Sequence, residues 1–302
     1  MIYNFAEMKK QIFLALSCVL ISVNLFGQYN SVLSSGKWFK ISTNQSGIYK
    51  LNYSSLVSMG VAVNNLKISS IKLYGNGGGM LPKLNSDFRH NDLVENAINI
   101  FDSNNNGVFE NGDYILFYGQ SPHIWEYDAE SSLFKHETHL FSDAVNYFLT
   151  TDNQSFGKRI VQKIALQNPV KTITSFNAFS FHELELENLI QSGKEWFGER
   201  FNNQISKSFY FSFPNLELTS PITVKTAVAA RSLSPSVFSV AINSNPLQTI
   251  SVQNITSTYA TEYAKASSKT SVFIASSSDL SIDIKYSSAD NGALSWLNFI
   301  EI

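Results

Sequence analysis

The chain is punctuated too often to build long helices. Short runs rich in Phe, Tyr, Ile and Val recur between clusters of Gly, Asn, Ser and Pro, and long helical periodicity is missing throughout. That is the pattern of strands joined by turns. The runs 37–41 and 47–51 alternate apolar and polar residues around a polar turn at 43–46, and the pair is expected to form a hairpin. One short helix is expected over 53–59, with Asn52 or Ser54 as its cap and Gly60 as the left-handed residue that ends it. Further strands are expected at 68–74, 96–101, 114–118 and 146–150.

The second half repeats the pattern at 209–213, 224–230, 238–242, 249–252, 271–275, 280–286 and 296–302. Seven such runs suffice for two packed sheets. The expected fold is therefore mostly β: a mixed, β-rich amino-terminal domain over 28–170, then a jelly-roll-like β-sandwich over 171–302, with the transition near 167–175. The last run keeps strand character to Ile302, which points to a chain that continues into a further domain.

Composition narrows the function classes. A length of 302 residues suits about two domains, and 44% hydrophobic residues argue against disorder. Charged residues are only 15%, against roughly 25% in an average soluble domain. With a net charge of −2, no basic footprint is present for nucleic acid.

The amino end reads as an export address. Lys9 and Lys10 precede an apolar run over 12–26 that closes at Gly27, the layout of a secretory signal peptide over 1–27. Translation starts at Met1 or Met8. The run is shorter than the roughly 20 residues of a membrane-spanning helix, so no transmembrane helix is expected. Cys18, the only cysteine, falls inside the signal. Cleavage after Gly27 would remove two lysines, one glutamate and that cysteine, moving the net charge from −2 to −3. Disulfides, thiolate metal sites and cysteine catalysis are then excluded from residues 28–302.

Few residues suggest chemistry, and no catalytic set is assigned. His90, His123, His136, His139 and His182 read as surface or turn histidines; His136 and His139 lie three apart, but outside any His-Glu-x-x-His pattern. His182, Glu183, Leu184, Glu185, Leu186 and Glu187 alternate charge with leucine, which predicts one polar and one buried face. The glycine-rich stretch 75–79 lacks the lysine of a phosphate loop. The most specific local pattern is the loop 102–113. Asp102, Asn104, Asn106, the carbonyl of Val108, Glu110 and Asp113 stand at the ligand spacings of an EF-hand-like calcium loop, with Gly107 at the sharp turn and Phe109 pinning the loop to a core. Its alternative is an Asx-rich turn without metal. Calcium, bound weakly, is the one cofactor expected.

Several segments together resemble the amino-terminal region of the PorU family, the gingipain-type cysteine peptidases that act as sortases of the type IX secretion system in Bacteroidota. They are 47–51 (Gly-Ile-Tyr-Lys-Leu), 71–78 (Ile-Lys-Leu-Tyr-Gly-Asn-Gly-Gly), 107–109 with 112–119 (Gly-Asp-Tyr-Ile-Leu-Phe-Tyr-Gly), and 188–199 (Asn-Leu-Ile-Gln-Ser-Gly-Lys-Glu-Trp-Phe-Gly-Glu). The resemblance covers about 36–302 and implies a region ahead of the peptidase domain, whose His and Cys form the catalytic dyad. The absence of cysteine after residue 27 means that the nucleophile maps onto no position here. The resemblance further implies an exported, outer-membrane-associated or cell-surface protein, with the secretion system's outer-membrane components and its secreted cargo as partners. The whole protein would remove carboxy-terminal sorting signals and attach cargo to surface lipopolysaccharide. The competing expectation is a secreted carbohydrate-binding or adhesion module, with Trp125 and Trp196 as exposed aromatic faces.

Overall fold

The computed structural model describes residues 30–151, 155–165, 167–193, 195–201, 206–258 and 262–302. The expected signal segment 1–27, with Cys18, lies outside the described residues, as does Lys194. In chain order the strands are β1 (Phe39–Thr43), β2 (Gly47–Asn52), β3 (Lys72–Tyr74), β4 (Glu95–Asn96), β5 (Asn99–Phe101), β6 (Tyr114–Gly119), β7 (Ile124–Asp128), β8 (Leu133–Glu137) and β9 (Val145–Thr150). They continue with β10 (Phe181–Glu183), β11 (Ser206–Ser212), β12 (Pro221–Arg231), β13 (Ser236–Ile242), β14 (Asn245–Val252), β15 (Lys265–Ile274), β16 (Asp279–Ser288) and β17 (Leu294–Glu301). Among the described residues no helix is long and apolar enough to cross a membrane.

The strands divide between two compact units. The first holds 30–122 and Ser142–Lys163; the second holds His123–Phe141 and Ile164–Ile302. The segment His123–Phe141, which carries β7 and β8, thus belongs with the second unit although its sequence neighbours on both sides belong to the first.

In the first unit a four-stranded sheet, β1-β9-β3-β4, and a three-stranded sheet, β2-β6-β5, are both antiparallel. Alternation directs Ile115 and Phe117 of β6, and Tyr147 and Leu149 of β9, into one core with Leu56, Ile71, Leu73 and Phe109. Phe117 and Tyr147 meet with ring centroids 5.4 Å apart. Gly119 lets the Tyr49 ring close against the strand, since a Cβ there would lie 2.7 Å from that ring. Helix α1 (Tyr53–Ser58) starts where expected: the Asn52 side chain accepts from the Ser55 N–H at 2.8 Å, and Gly60 follows with φ +83°.

The expected hairpin of 37–41 with 47–51 does not form. β1 pairs with β9 and β2 pairs with β6, so 43–46 carries the chain from one sheet to the other. None of Asn44, Gln45 and Ser46 takes the positive φ of a tight hairpin turn. Instead Thr43 donates to the Gln120 carbonyl at 2.8 Å and Ser46 accepts from the Ser121 N–H at 2.9 Å, which holds the corner. The strand expected over 68–74 shortens to β3, because residues 68–70 close a 3₁₀ turn. The strand expected over 96–101 is split into β4 and β5.

The second unit is a sandwich of two four-stranded antiparallel sheets, β10-β17-β12-β15 and β11-β16-β13-β14. Counted from β10, one sheet holds the first, eighth, third and sixth strands and the other the second, seventh, fourth and fifth. That order is the winding of a jelly roll. Its core is built from inward residues of both sheets, among them Phe209, Phe211, Val224, Phe238, Val240, Ile250, Ile282, Ile284, Leu297 and Ile300. Burial of each large side chain contributes about 1.5–3 kcal/mol. The opposite edges β14 and β15 are tied by Gln248, which accepts from Ser271 at 2.7 Å and donates to Thr226 at 3.2 Å. Strands β7 and β8 form a separate two-stranded sheet in this unit.

Candidate functional site

In the first unit the loop 102–113 is closed by its own side chains. Asp102 Oδ2 accepts from the Gly107 N–H at 2.8 Å, Asn104 Oδ1 from the Asn106 N–H at 3.2 Å, and Asn106 Oδ1 from the Val108 N–H at 2.7 Å. Asn105, Gly107 and Gly112 take positive φ, and Phe109 is buried as expected. Asp113 is the anchor. It is buried, and its two oxygens accept from the Ser103 and Glu110 N–H groups, each at 2.8 Å. Burial works against the charged carboxyl, but these amides outweigh it and hold the pKa below the usual aspartate range.

The expected calcium ligands are therefore gathered in one loop but largely committed to one another. Glu110 accepts from the Asn104 side chain at 3.1 Å. Asp102 Oδ1 is enclosed without a hydrogen-bond partner, the one feature of the geometry that suits a cation ligand. No cluster of three or more His, Cys, Asp or Glu positioned to hold a metal is found among the described residues. Beside the loop, Lys50, Asn52, Tyr53 and Tyr114 line a cavity of about 230 Å³, with the Lys50 ammonium 4.1 Å from the Tyr114 ring centre.

In the second unit the structure corrects the histidine reading. His136 is no surface residue: its side chain is 3% exposed. It lies in β8 between Glu301 of β17, with Nδ1 to Oε1 at 2.6 Å, and Glu183 of β10, with Nε2 to Oε2 at 2.8 Å. Its own N–H donates to Glu301 Oε1 at 3.0 Å. Thr138 also bonds Glu183, Lys225 Nζ stands 3.6 Å from Glu301 Oε2, and the imidazole stacks on Phe181 at 4.2 Å. With a carboxylate at each ring nitrogen, either neutral tautomer would face a lone pair with an anion, so the ring is held as imidazolium. Burial pulls the His136 pKa down, but the two glutamates raise it above its ordinary value. Burial likewise opposes the charge on Glu183 and Glu301, yet His136 keeps both pKa values low. With both nitrogens engaged, this histidine is a clamp on the β7–β8 hairpin and offers no free base.

His139 stands past the end of β8, where its N–H donates to His123 Nδ1 at 3.1 Å, so it shares no site with His136. His90 is exposed. The alternation expected at 182–187 does not form: β10 ends at Glu183, and Leu184, Glu185 and Leu186 are all exposed, the two leucines at 40% and 62%, while His182 and Glu183 are half-buried. His182 Nε2 lies 2.7 Å from Glu199 Oε1. Glu199 is disfavoured as an anion by burial, but the bond to His182 wins and lowers its pKa. The place of Glu183 follows from pairing partners: β10 borders β17, whose Glu301 and the incoming His136 create a polar slot that glutamate fills and leucine would not. Glu185, beside Glu183, is pushed up to about 7 by partial burial and by that neighbouring charge. Trp125, expected to be an exposed face, packs on Phe179 at 4.5 Å and is half-buried; Trp196 is 41% exposed.

No protein-family model matches the sequence, and no curated protein matches it. Among solved structures, dimeric latent PorU from Porphyromonas gingivalis matches with a TM-score of 0.71 and 22% identity, over 90% of this chain and 24% of that one. The carbohydrate-binding module CBM36 in complex with calcium and xylotriose overlaps at a TM-score of only 0.23 and 13% identity, over 32% of this chain and 70% of that one. The first shares the fold; the second overlap is too slight to support an argument.

Proposed function

We propose that this chain is the β-rich, non-catalytic amino-terminal portion of a type IX secretion system sortase. The observation that carries the reading is the fold shared with PorU over nine-tenths of the chain, and the four segments of sequence resemblance support it. This chain spans 24% of the length of that PorU, so peptidase chemistry is assigned to the remainder of such a protein. In this reading the protein is exported and sits at the outer membrane or cell surface. Its partners are outer-membrane components of the secretion system and the secreted cargo, whose carboxy-terminal sorting signals it removes. With no cysteine after residue 27, a thiolate nucleophile has nowhere to form in residues 28–302. In the native host, in-frame deletion of the codons for 30–302 is expected to abolish surface attachment of cargo, while the purified chain leaves peptides bearing a sorting domain intact. Normal cargo attachment in the deletion strain, or turnover by the chain that a point substitution abolishes, would overturn the reading.

Calcium at the loop 102–113 is a separate proposal, supported by the partnerless Asp102 Oδ1 and the ligand spacing. Asp102, Asn104, Asn106, Glu110, Asp113 and the Val108 carbonyl would hold the ion. At ten times a millimolar dissociation constant, binding to the folded state alone adds about 1.4 kcal/mol. A small rise in melting temperature with millimolar calcium over chelator is expected in the wild type and absent in Asp102→Ala. Equal wild-type melting in the two conditions leaves an Asx-rich turn without metal.

A further inference from the structure

The strap that leads into β10 is apolar and uncovered. From 167 to 179 every residue is exposed, and residues 168–179 form no hydrogen bond among the described residues. Four large apolar side chains nevertheless stand along it at intervals of three. Ile173 and Phe176 are 75% and 89% exposed and Val170 is fully so; Phe179 is partly covered, its ring centre 4.5 Å from that of Trp125 and 5.3 Å from that of Phe134. Contiguous apolar side chains left in solvent mark an interaction surface. A plain connector would gain nothing from valine, isoleucine and phenylalanine at these positions.

The place of the strap points to what covers it. Strand β10 pairs antiparallel with β17 in the register Phe181↔Glu301 and Glu183↔Phe299. One step further out, Ser180 and Ile302 exchange both backbone hydrogen bonds, at 3.0 and 2.9 Å. The ladder is therefore unbroken to Ile302, and its next rungs lie between the strap and polypeptide that follows residue 302. Each step lowers one number and raises the other, so position 303 stands opposite Phe179, 304 opposite Ala178 and 306 opposite Phe176. Bonded pairs alternate along an antiparallel ladder, which aims the N–H and C=O of Ala178 and Phe176 at that line. In such a strand Phe179 and Ile173 share the face of Phe181, which Trp125 and His136 of the hairpin cover, while Phe176 and Val170 take the opposite face. A run that is apolar on both faces suits a strand buried on both.

We propose that the segment directly following Ile302 in the longer protein pairs with the strap 170–179 as a continuation of the β10–β17 ladder and, with the domain it leads into, buries Val170, Ile173 and Phe176. The inference rests on the reading of this chain as the amino-terminal portion of a sortase. The test sets the protein purified from the native host beside the 302-residue chain, by intact mass and by amide hydrogen exchange. A native mass no greater than that of the 302-residue chain would overturn the sortase reading, and this inference with it. With a larger native mass, the amides of Phe176 and Ala178 are expected to exchange at least about tenfold more slowly in the native protein than in the 302-residue chain. Phe176→Asp is expected to leave the melting temperature of the 302-residue chain unchanged, since that side chain is almost fully exposed there, and to restore fast exchange over 170–179 in the longer protein. Equally fast exchange in the two wild-type proteins would overturn the inference and leave the sortase reading standing. Slow exchange already present in the 302-residue chain and deepening with its concentration would overturn it in favour of a second copy. The wild-type comparison keeps the test valid if Phe176→Asp fails to fold in the longer protein.

Discussion

Substituting His136→Ala is expected to cost the second unit about 3–5 kcal/mol, the scale for removing one partner from a buried ion pair. The loss exceeds that of a missing contact because Glu183 and Glu301 remain enclosed as anions, answered only in part by Thr138, Lys225 and the backbone N–H of residue 136. His136→Phe would keep the stacking on Phe181 and still destabilise, whereas adding Glu183→Gln and Glu301→Gln should recover part of the loss by removing the stranded charges. Urea unfolding measures the total, and amide exchange in β7 and β8 should rise first, since the clamp joins that hairpin to β10 and β17.

The same trio predicts a stability window in pH. The His136 pKa is raised, so its contribution is fully present below its ordinary value of 6.5 and is lost as pH climbs through the higher folded value. The Glu183 and Glu301 pKa values are lowered, so their contribution is present above their ordinary 4.5 and is lost as pH falls through the folded values. Glu185, raised to about 7, releases its proton less readily when folded and so adds to the alkaline loss between 4.5 and 7. The charged groups around the imidazole are Glu183, Glu301 and Lys225, with Glu185 next to Glu183. In His136→Ala the alkaline decline above pH 6.5 should flatten; an unchanged profile would show that the imidazolium is not the group responsible.

Trp296→Ala is the other large effect, about 3–5 kcal/mol for truncating a fully buried tryptophan. Trp296 is completely enclosed in β17, packs on Phe197 with ring centroids 6.5 Å apart, lies under the Arg200 guanidinium at 5.6 Å, and donates to Glu187 Oε2 at 2.9 Å. It therefore joins β17 to the 187–200 segment. Trp296→Phe keeps most of the apolar volume, and Glu187 retains Arg200 at 3.1 Å, so that variant should lose only about 1–2 kcal/mol. Denaturant midpoints of the two variants check the order; equal losses would mean that volume is not what the site requires.

Where a structural outcome depends on nearest neighbours, the sequence alone determined it. The cap at Asn52, the Gly60 stop, the buried Phe109 in its Asx-rich loop and the jelly-roll strands follow from local turn chemistry and period-2 alternation, both written within a few residues. Tertiary structure alone decided the rest. Whether 43–46 closes a hairpin or crosses between sheets depends on β9 and β6, each far along the chain. The place of Glu183 depends on Glu301 and His136, separated by 165 residues. An alternating strand states that it has two faces, but which face is buried is fixed by what packs against it. A histidine carries no mark of burial until distant carboxylates stabilise its charge, and an edge strand reads like any other until the remaining strands have chosen their partners.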